Sequence, residues 1–302
     1  MLNSMNASAA PEGVHILPPT GVVAGPYSFL FRKGAIESAL IAGDAARVLA
    51  LFPGGAFRTC VTSPPYWSLR DYGIEGQIGL EPSVGAYVDS LVAVFEQVRR
   101  VLRDDGTLWL NIGDSYTSGG RTWRAPDKKN PVRAMEFRPP TPEGLKPKDL
   151  VGIPWRLALA LQAAGWYLRA DIIWYKPNCQ PESVKDRPTR SHEYVFLFSK
   201  SERYYYDSSA ARGANNRNLR TVWEIHTQAF PGAHFATFPR KLVQHCIDLS
   251  TKPGDIVLDP FVGSGTTGEV AFRMGRRFVG VELNPKYVEI ARARLNGGKL
   301  LI

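Results

Sequence analysis

The run DIVLDPFVGSGTTGEVA, residues 255–271, constrains the fold of this 302-residue chain more than any other stretch. A strand-like segment ends at Asp259, glycines follow at Gly263, Gly265 and Gly268 in GxGxxG spacing, and helix-forming residues resume from Thr266. Glycine lets the backbone turn sharply and approach a ligand, and a helix starting there offers unpaired N–H groups. Strand, glycine turn and helix in this order suit a parallel sheet covered by helices. The spacing alone is a weak signal, and the context sharpens it. The next strand-like run, RFVGVEL, ends at Glu282, whose carboxylate can accept from both hydroxyls of a ribose. A nicotinamide-binding unit uses the same logic, but the chain ends 20 residues later, too soon for a second dinucleotide half. Asp259, with Pro260 and Phe261, stands before the first glycine and is placed to hold a ligand's ammonium group. That suits an amino-acid-bearing nucleoside better than a pyrophosphate.

The rest of the chain alternates in the same way, which predicts an α/β fold with a doubly wound, mostly parallel, Rossmann-like sheet. Strands are expected at Phe57 to Val61, after a turn at Asp105-Gly106 (TLWLNIG), and at WYLRADIIWY and EYVFLFSK. Helices are expected at Val84 to Leu102, Pro154 to Ala164, Pro239 to Leu249, Thr266 to Met274 and Pro285 to Leu295. Residues 1–34, rich in Ala, Gly and Pro, read as an N-terminal arm, and 35–302 as one catalytic-size domain. No apolar run approaches the roughly 20 residues that span a bilayer, and no leader pattern opens the chain, so a soluble, cytoplasmic protein is expected. Cys60, Cys179 and Cys246 lack CxxC spacing, which argues against a zinc cage or a disulfide framework.

A net charge of +9 favours an acidic partner, most simply nucleic acid. The charge is concentrated in residues 119–148, where Arg121, Arg124, Lys128, Lys129, Arg133, Arg138, Lys146 and Lys148 face Asp127, Glu136 and Glu143, eight minus three, or +5. That stretch reads as a mobile loop, either a solvated linker or a loop that grips phosphates. Residues 208–231, with Arg212, Arg217 and Arg220 among asparagines, are a candidate target-recognition segment or an ordinary surface loop.

TSPPYW, residues 62–67, leaves the strand at Phe57 to Val61 with two prolines and an aromatic pair. Consecutive prolines fix φ and remove competing N–H donors, so a carbonyl is presented rigidly. Taken with DPFVGSGTTG and VELNP, this stretch makes the chain resemble the S-adenosylmethionine-dependent DNA amino-methyltransferases, in the permuted order that places the tetrapeptide before the cofactor loop. The likeness runs from about Leu40 to Leu295 and includes AGDA (42–45), IIWYKPN (172–178), SHEYVFLFSK (191–200) and HFATFP (234–239). The resemblance implies a cofactor site of Asp44, Ala45, His234, Thr237, Phe238, Asp259, Pro260, Phe261, Gly263, Ser264, Gly265, Thr266, Thr267, Glu282, Leu283 and Asn284. It also implies catalysis by Ser63, Pro64, Pro65 and Tyr66. An exocyclic amine is a poor nucleophile because its lone pair is delocalised into the ring. Acceptors at both its N–H groups, Ser63 Oγ and the Pro64 carbonyl, favour a pyramidal nitrogen aimed at the sulfonium methyl. Tyr66 then stacks on a base flipped out of the duplex.

In that family S-P-P-Y goes mainly with cytosine N4, and D-P-P-Y or N-P-P-Y with adenine N6. The expected activity is therefore N4-cytosine methylation of double-stranded DNA without metal, with N6-adenine as the alternative. Cytosine C5 chemistry needs a cysteine nucleophile, and no Pro-Cys pair occurs. A protein-amide methyltransferase and a non-enzymatic DNA-binding module are the competing classes. Arg70, Arg121, Arg124, Lys128, Lys129, Lys176, Arg217 and Arg220 are candidate DNA contacts. SLRDYG after the prolines reads as a flap whose Arg70 and Asp71 help hold the flipped nucleotide, or form a surface ion pair; Lys176-Pro177-Asn178 and His192-Glu193 read as lining the base pocket, with a structural histidine the alternative for His192. Asp44 reads equally as an adenine contact or a helix cap. A cognate restriction endonuclease, a nucleoid-associated setting and a prokaryotic or phage source follow from the resemblance alone, and the oligomeric state, monomer or homodimer, is open.

Overall fold

The computed structural model describes residues 29–33, 36–117, 123, 139–212, 217–228 and 238–296. Among the described residues nine strands form one sheet: β1 (Phe29–Lys33), β2 (Ile36–Ala42), β3 (Phe57–Thr62), β4 (Leu102–Ile112), β5 (Tyr167–Tyr175), β6 (His192–Ser199), β7 (Val222–Glu224), β8 (Ile256–Asp259) and β9 (Arg277–Glu282). Their order is β1-β2-β9-β8-β3-β4-β6-β5-β7. The five strands from β2 to β4 are mutually parallel, β6 lies antiparallel between β4 and β5, and β1 is an antiparallel edge on β2. Side chains alternate between the faces, so both faces carry apolar residues, as a sheet covered on two sides requires. Cys60, Leu108, Leu110 and Phe196 join the core under α1 (Ala45–Ala50), α2 (Val84–Val101) and α3 (Ile153–Ala163). Val61, Trp109 and Val195 join the core under α4 (Arg240–Ser250), α5 (Thr266–Arg273) and α6 (Pro285–Leu295). Burial of side chains such as Leu91, Phe95 and Phe278, all fully enclosed, stabilises by roughly 1.5–3 kcal/mol each.

The topology fixes where ligands bind. From β3 the chain passes through α2 on one face to β4, and from β8 through α5 on the other face to β9. The winding therefore reverses between the adjacent strands β3 and β8, and the crevice at their carboxyl ends is the ligand site of such sheets.

Several boundaries differ from expectation. The arm predicted to end at residue 34 contains β1, whose FLFRK run is too short to stand out from its surroundings without the β2 partner. Asp105-Gly106 does not turn: β4 runs through it as a bulge, with Phe57 opposite Leu102 and Thr59 opposite Thr107. Within the basic stretch, residues 118–122 and 124–138, with Arg121, Arg124, Lys128 and Lys129, lie outside the described residues. Its end is tied down, with Thr117 N–H donating to the Asp149 carbonyl at 2.9 Å and Leu145 packed on the core. The 208–231 segment supplies β7, whose Trp223 is buried, beside exposed Arg217 and Arg220. No helix among the described residues is long and apolar enough to cross a membrane.

Candidate active site

The strand ends that carry the two motifs are tied together by one buried acid. Thr62 Oγ1 donates to Asp259 Oδ1 at 2.6 Å, and Phe261 N–H donates to the same oxygen at 3.0 Å. Burial raises the Asp259 carboxyl to about 6 against the pull of these donors. Asp259 is fully enclosed and takes no place on the cleft wall, so its geometry is that of a brace beneath Ser63. Its second oxygen, Oδ2, is buried without a hydrogen-bond partner, so the ammonium contact expected of it from the sequence stays open to it. Thr267 reinforces the junction from α5 by donating to the Val61 carbonyl at 3.3 Å.

A cleft of ≈ 830 Å³ opens above this junction. Its cofactor side is built on the glycine turn. Gly263 has φ +52, a left-handed value that favours glycine, and a Cβ there would project into open space along the cleft. Its N–H donates to Glu282 Oε2 at 2.8 Å, and Asn284 N–H donates to Glu282 Oε1 at 2.9 Å. Glu282 thus stands at the cleft wall with each oxygen already held by one donor and lone pairs to spare. Burial pushes its carboxyl up to about 7 despite those donors, and Asp259 adds to the rise. Asn284 caps α6 by accepting from Lys286 N–H at 3.0 Å. Arg294 holds the Ser264 and Thr266 hydroxyls, each at 2.9 Å, and Gly265 caps α5. Asp44 accepts from Arg47 N–H at 2.9 Å, so it caps α1, and it also lines the cleft with Ala45. The cap reading of Asp44 is thus observed, and its place on the cleft wall leaves it within reach of a bound ligand. Pro260, Phe261, Leu283 and Phe238 line the same side, while His234 and Thr237 lie outside the described residues.

Arg70 belongs to this side rather than to an outer surface: it bonds Tyr72, whose ring meets Tyr287 edge-on at 6.0 Å. Asp71 accepts from Gly73 N–H at 2.8 Å.

The other side is built on TSPPYW. The aromatic pair splits, Trp67 entering the core with its indole N–H on the Glu81 carbonyl at 3.0 Å, Tyr66 facing the cleft. Tyr87 donates to the Pro65 carbonyl at 2.7 Å, which leaves the Pro64 carbonyl as the carbonyl of the pair without that bond. Tyr66 lies against the backbone at the end of β4, where a Cβ on Gly113 would sit 2.7 Å from its ring. Its hydroxyl donates to Glu193 Oε2 at 2.7 Å. Asn111 Nδ2 donates to the same oxygen at 3.1 Å and to the Tyr194 carbonyl at 3.1 Å, and Lys176 pairs with Glu193 Oε1. Lys176 also lies 4.3 Å from the Trp174 ring centroid. It is the counter-ion of a cleft carboxylate and lines the cleft itself. His192 lines the cleft, held below its ordinary range by burial and by Arg190 and Lys176.

Sequence reasoning missed Asn111 and, beyond Pro177-Asn178, the loop 179–191. Asn111 lies one residue before the end of β4, a strand that neighbours β3, so the strand-end rule that located Ser63 applies to it equally. The loop places Cys179, Gln180, Glu182 and Arg190 at the cleft, and Arg187 stacks on Tyr116 at 3.9 Å while pairing with Glu182 at 2.6 Å.

These features fit an adenosyl ligand carrying an amino acid: a roomy half-apolar cleft, a glycine turn at its floor and a carboxylate at ribose-binding position. Comparison with known proteins agrees. The family model described as "DNA methylase" (N6_N4_Mtase) matches residues 57–293. Type II methyltransferase M.Cfr9I of Citrobacter freundii is 63% identical over 275 residues, covering 89% of this chain and 92% of that protein. M.SmaI of Serratia marcescens is 58% identical over 262 residues, covering 85% and 90%. Among solved structures, the putative DNA modification methylase TTHA0409 of Thermus thermophilus, complexed with S-adenosyl-L-methionine, aligns with a TM-score of 0.60 at 28% identity over 86% of this chain and 95% of that one. The PvuII DNA methyltransferase (cytosine-N4-specific) shares the fold, with a TM-score of 0.66 at 24% identity over 85% and 86%.

Proposed function

Since the chain belongs to the N6/N4 DNA methylase family and uses S-adenosylmethionine to methylate DNA, we propose that its target is the exocyclic N4 amine of cytosine in double-stranded DNA. The observation that carries this reading is the juxtaposition of Ser63-Pro64 with the glycine turn, on the adjacent strand ends β3 and β8 at one cleft. Serine at the first position of the tetrapeptide supports cytosine N4, and the absence of a Pro-Cys pair counts against ring-carbon chemistry.

The cofactor supplies an electrophilic methyl group on a sulfonium. The chain does the rest by positioning. Glu282 and the Gly263 turn hold the nucleoside end. Ser63 Oγ and the Pro64 carbonyl accept the two amine N–H groups, which localises the nitrogen lone pair and aims it. Tyr66 offers its ring to a base extruded from the duplex, at a cost of a few kcal/mol. Alignment of two bound reactants in one cleft accounts for much of the acceleration. In the cell the modification would protect sites from a cognate restriction endonuclease, in line with the Type II methyltransferase relatives.

Incubation with S-adenosylmethionine and mixed-sequence DNA, digestion to nucleosides and mass spectrometry tests the assignment. N4-methylcytosine is expected. N6-methyladenine would overturn the base while keeping the mechanism, and label on protein alone would overturn the substrate class.

A further inference from the structure

Ser63, Tyr66 and Glu193 form a hydrogen-bond chain with a fixed direction. The Ser63 hydroxyl donates to Tyr66 Oη at 3.5 Å, and the Tyr66 hydroxyl donates to Glu193 Oε2 at 2.7 Å. Glu193 comes from β6, two strands away from β3. An ionised carboxylate only accepts, and its other partners, Asn111 Nδ2 and the Lys176 ammonium, only donate. The Tyr66 proton is therefore committed to Glu193, which leaves Tyr66 Oη as the acceptor for Ser63. The Ser63 proton is turned inward, and its lone pairs face the cleft. A serine hydroxyl without such a partner donates as readily as it accepts, and an amine N–H needs an acceptor.

Resting on the reading that Ser63 meets the exocyclic amine, we propose that Glu193 is a positioning residue for methyl transfer: acting through Tyr66, it fixes Ser63 Oγ as an acceptor and takes up the proton the amine loses. The balance closes. The amine lone pair forms the N–C bond, and the C–S bond breaks with its electron pair going to sulfur. The cationic amine gives one proton to Ser63 Oγ as the Ser63 proton passes to Tyr66 and the Tyr66 proton to Glu193. A neutral carboxylic acid remains beside Lys176, to be deprotonated by water from the open cleft. Burial, with the Glu193 carboxylate next to it, holds the Tyr66 phenol well above its ordinary range, so it passes a proton on rather than resting as phenolate. The Ser63–Tyr66 step is the longer one, and catalytic hydrogen bonds commonly tighten once substrate fills the site.

The test is single-turnover methyl transfer by Glu193→Gln, Tyr66→Phe and the double variant, with S-adenosylmethionine affinity measured by calorimetry on each. Each single variant should lose about a hundredfold in transfer rate, the lower range for a positioned proton acceptor. Cofactor affinity should stay within about twofold, and the double variant should be only a few-fold slower than either single one, because both cut the same chain. Losses that multiply in the double variant would overturn the proposal. Tyr66→Phe keeps the stacking ring, so a rate within threefold of the unaltered enzyme would overturn it too, whether or not Glu193→Gln folds. Neither result touches the functional reading, which is tested separately by the methylated base that the unaltered enzyme forms.

Discussion

The two sides of the cleft are built differently. On the cofactor side the contacts that shape the wall are close in sequence and largely backbone: Gly263 and Asn284 N–H groups on Glu282, and Phe261 N–H on Asp259, all within one strand–helix–strand unit. On the base side they are side-chain contacts between distant strands, Tyr66 with Glu193, Asn111 with Glu193, and Tyr66 against Gly113. A local unit holds the part of the site that stays the same from turnover to turnover. A long-range network holds the part where a base must be gripped and a proton moved.

The largest effect expected from breaking this division is at Gly113. Gly113→Val drives a Cβ toward the Tyr66 ring and should cut the transfer rate by about a hundredfold or more, since displacements of about 1 Å cost that much. Cofactor titration should show affinity nearly unchanged. Glu282→Ala is the converse. Loss of hydrogen bonds to a charged group, about 1.5–3 kcal/mol, should raise the cofactor Kd roughly tenfold to a hundredfold, and saturating cofactor should restore most of the rate.

A smaller, signed effect follows from pH. Glu282 titrates near 7 in the folded protein, so its acceptor capacity grows as pH rises through 7, and cofactor affinity should rise with it. Glu282→Gln should flatten that rise in calorimetric titrations from pH 6 to 8. Stability should move the other way. The folded state holds the Glu282 and Asp259 protons more tightly than the unfolded chain, so their contribution is present below about pH 4 and lost as pH rises through about 6 to 7. The smallest effect belongs to Ser83→Ala, which removes the cap on Ala86 N–H at the start of α2. It should cost about 1 kcal/mol in denaturant unfolding and leave both sides of the cleft as they are.

The same contrast explains what could be read from the sequence. Gly263, Glu282 and Asn284 were legible because a strand, a glycine turn and an acid lie within a short run and serve one another. Ser63 and Tyr66 were legible because two prolines at a strand exit are unusual. Glu193 could be placed at a strand end, yet its partners could not be named, because nothing local says that β6 runs antiparallel beside β4 and turns its first residues toward the same edge. Asp259 was visible as an acid at a strand end, but that one of its oxygens is held by Thr62 depends on the β3–β8 pairing and could not be read locally. Arg70 and Lys176 could be named as candidate DNA contacts, but charge alone does not reveal Tyr72 or Glu193 as the neighbours that hold them at the cleft. β1 and β7, at the two sheet edges, were missed because three to five residues carry too little periodicity.

The most direct test of the division is Ser63→Ala, assayed for both properties in one preparation: cofactor affinity by calorimetry and single-turnover transfer to DNA. A hydroxyl that acts on the amine predicts a transfer rate lower by about a hundredfold with cofactor affinity within about twofold, by analogy with removing one transition-state contact. Parallel loss of both would contradict the account, because it would place Ser63 on the cofactor side of the cleft.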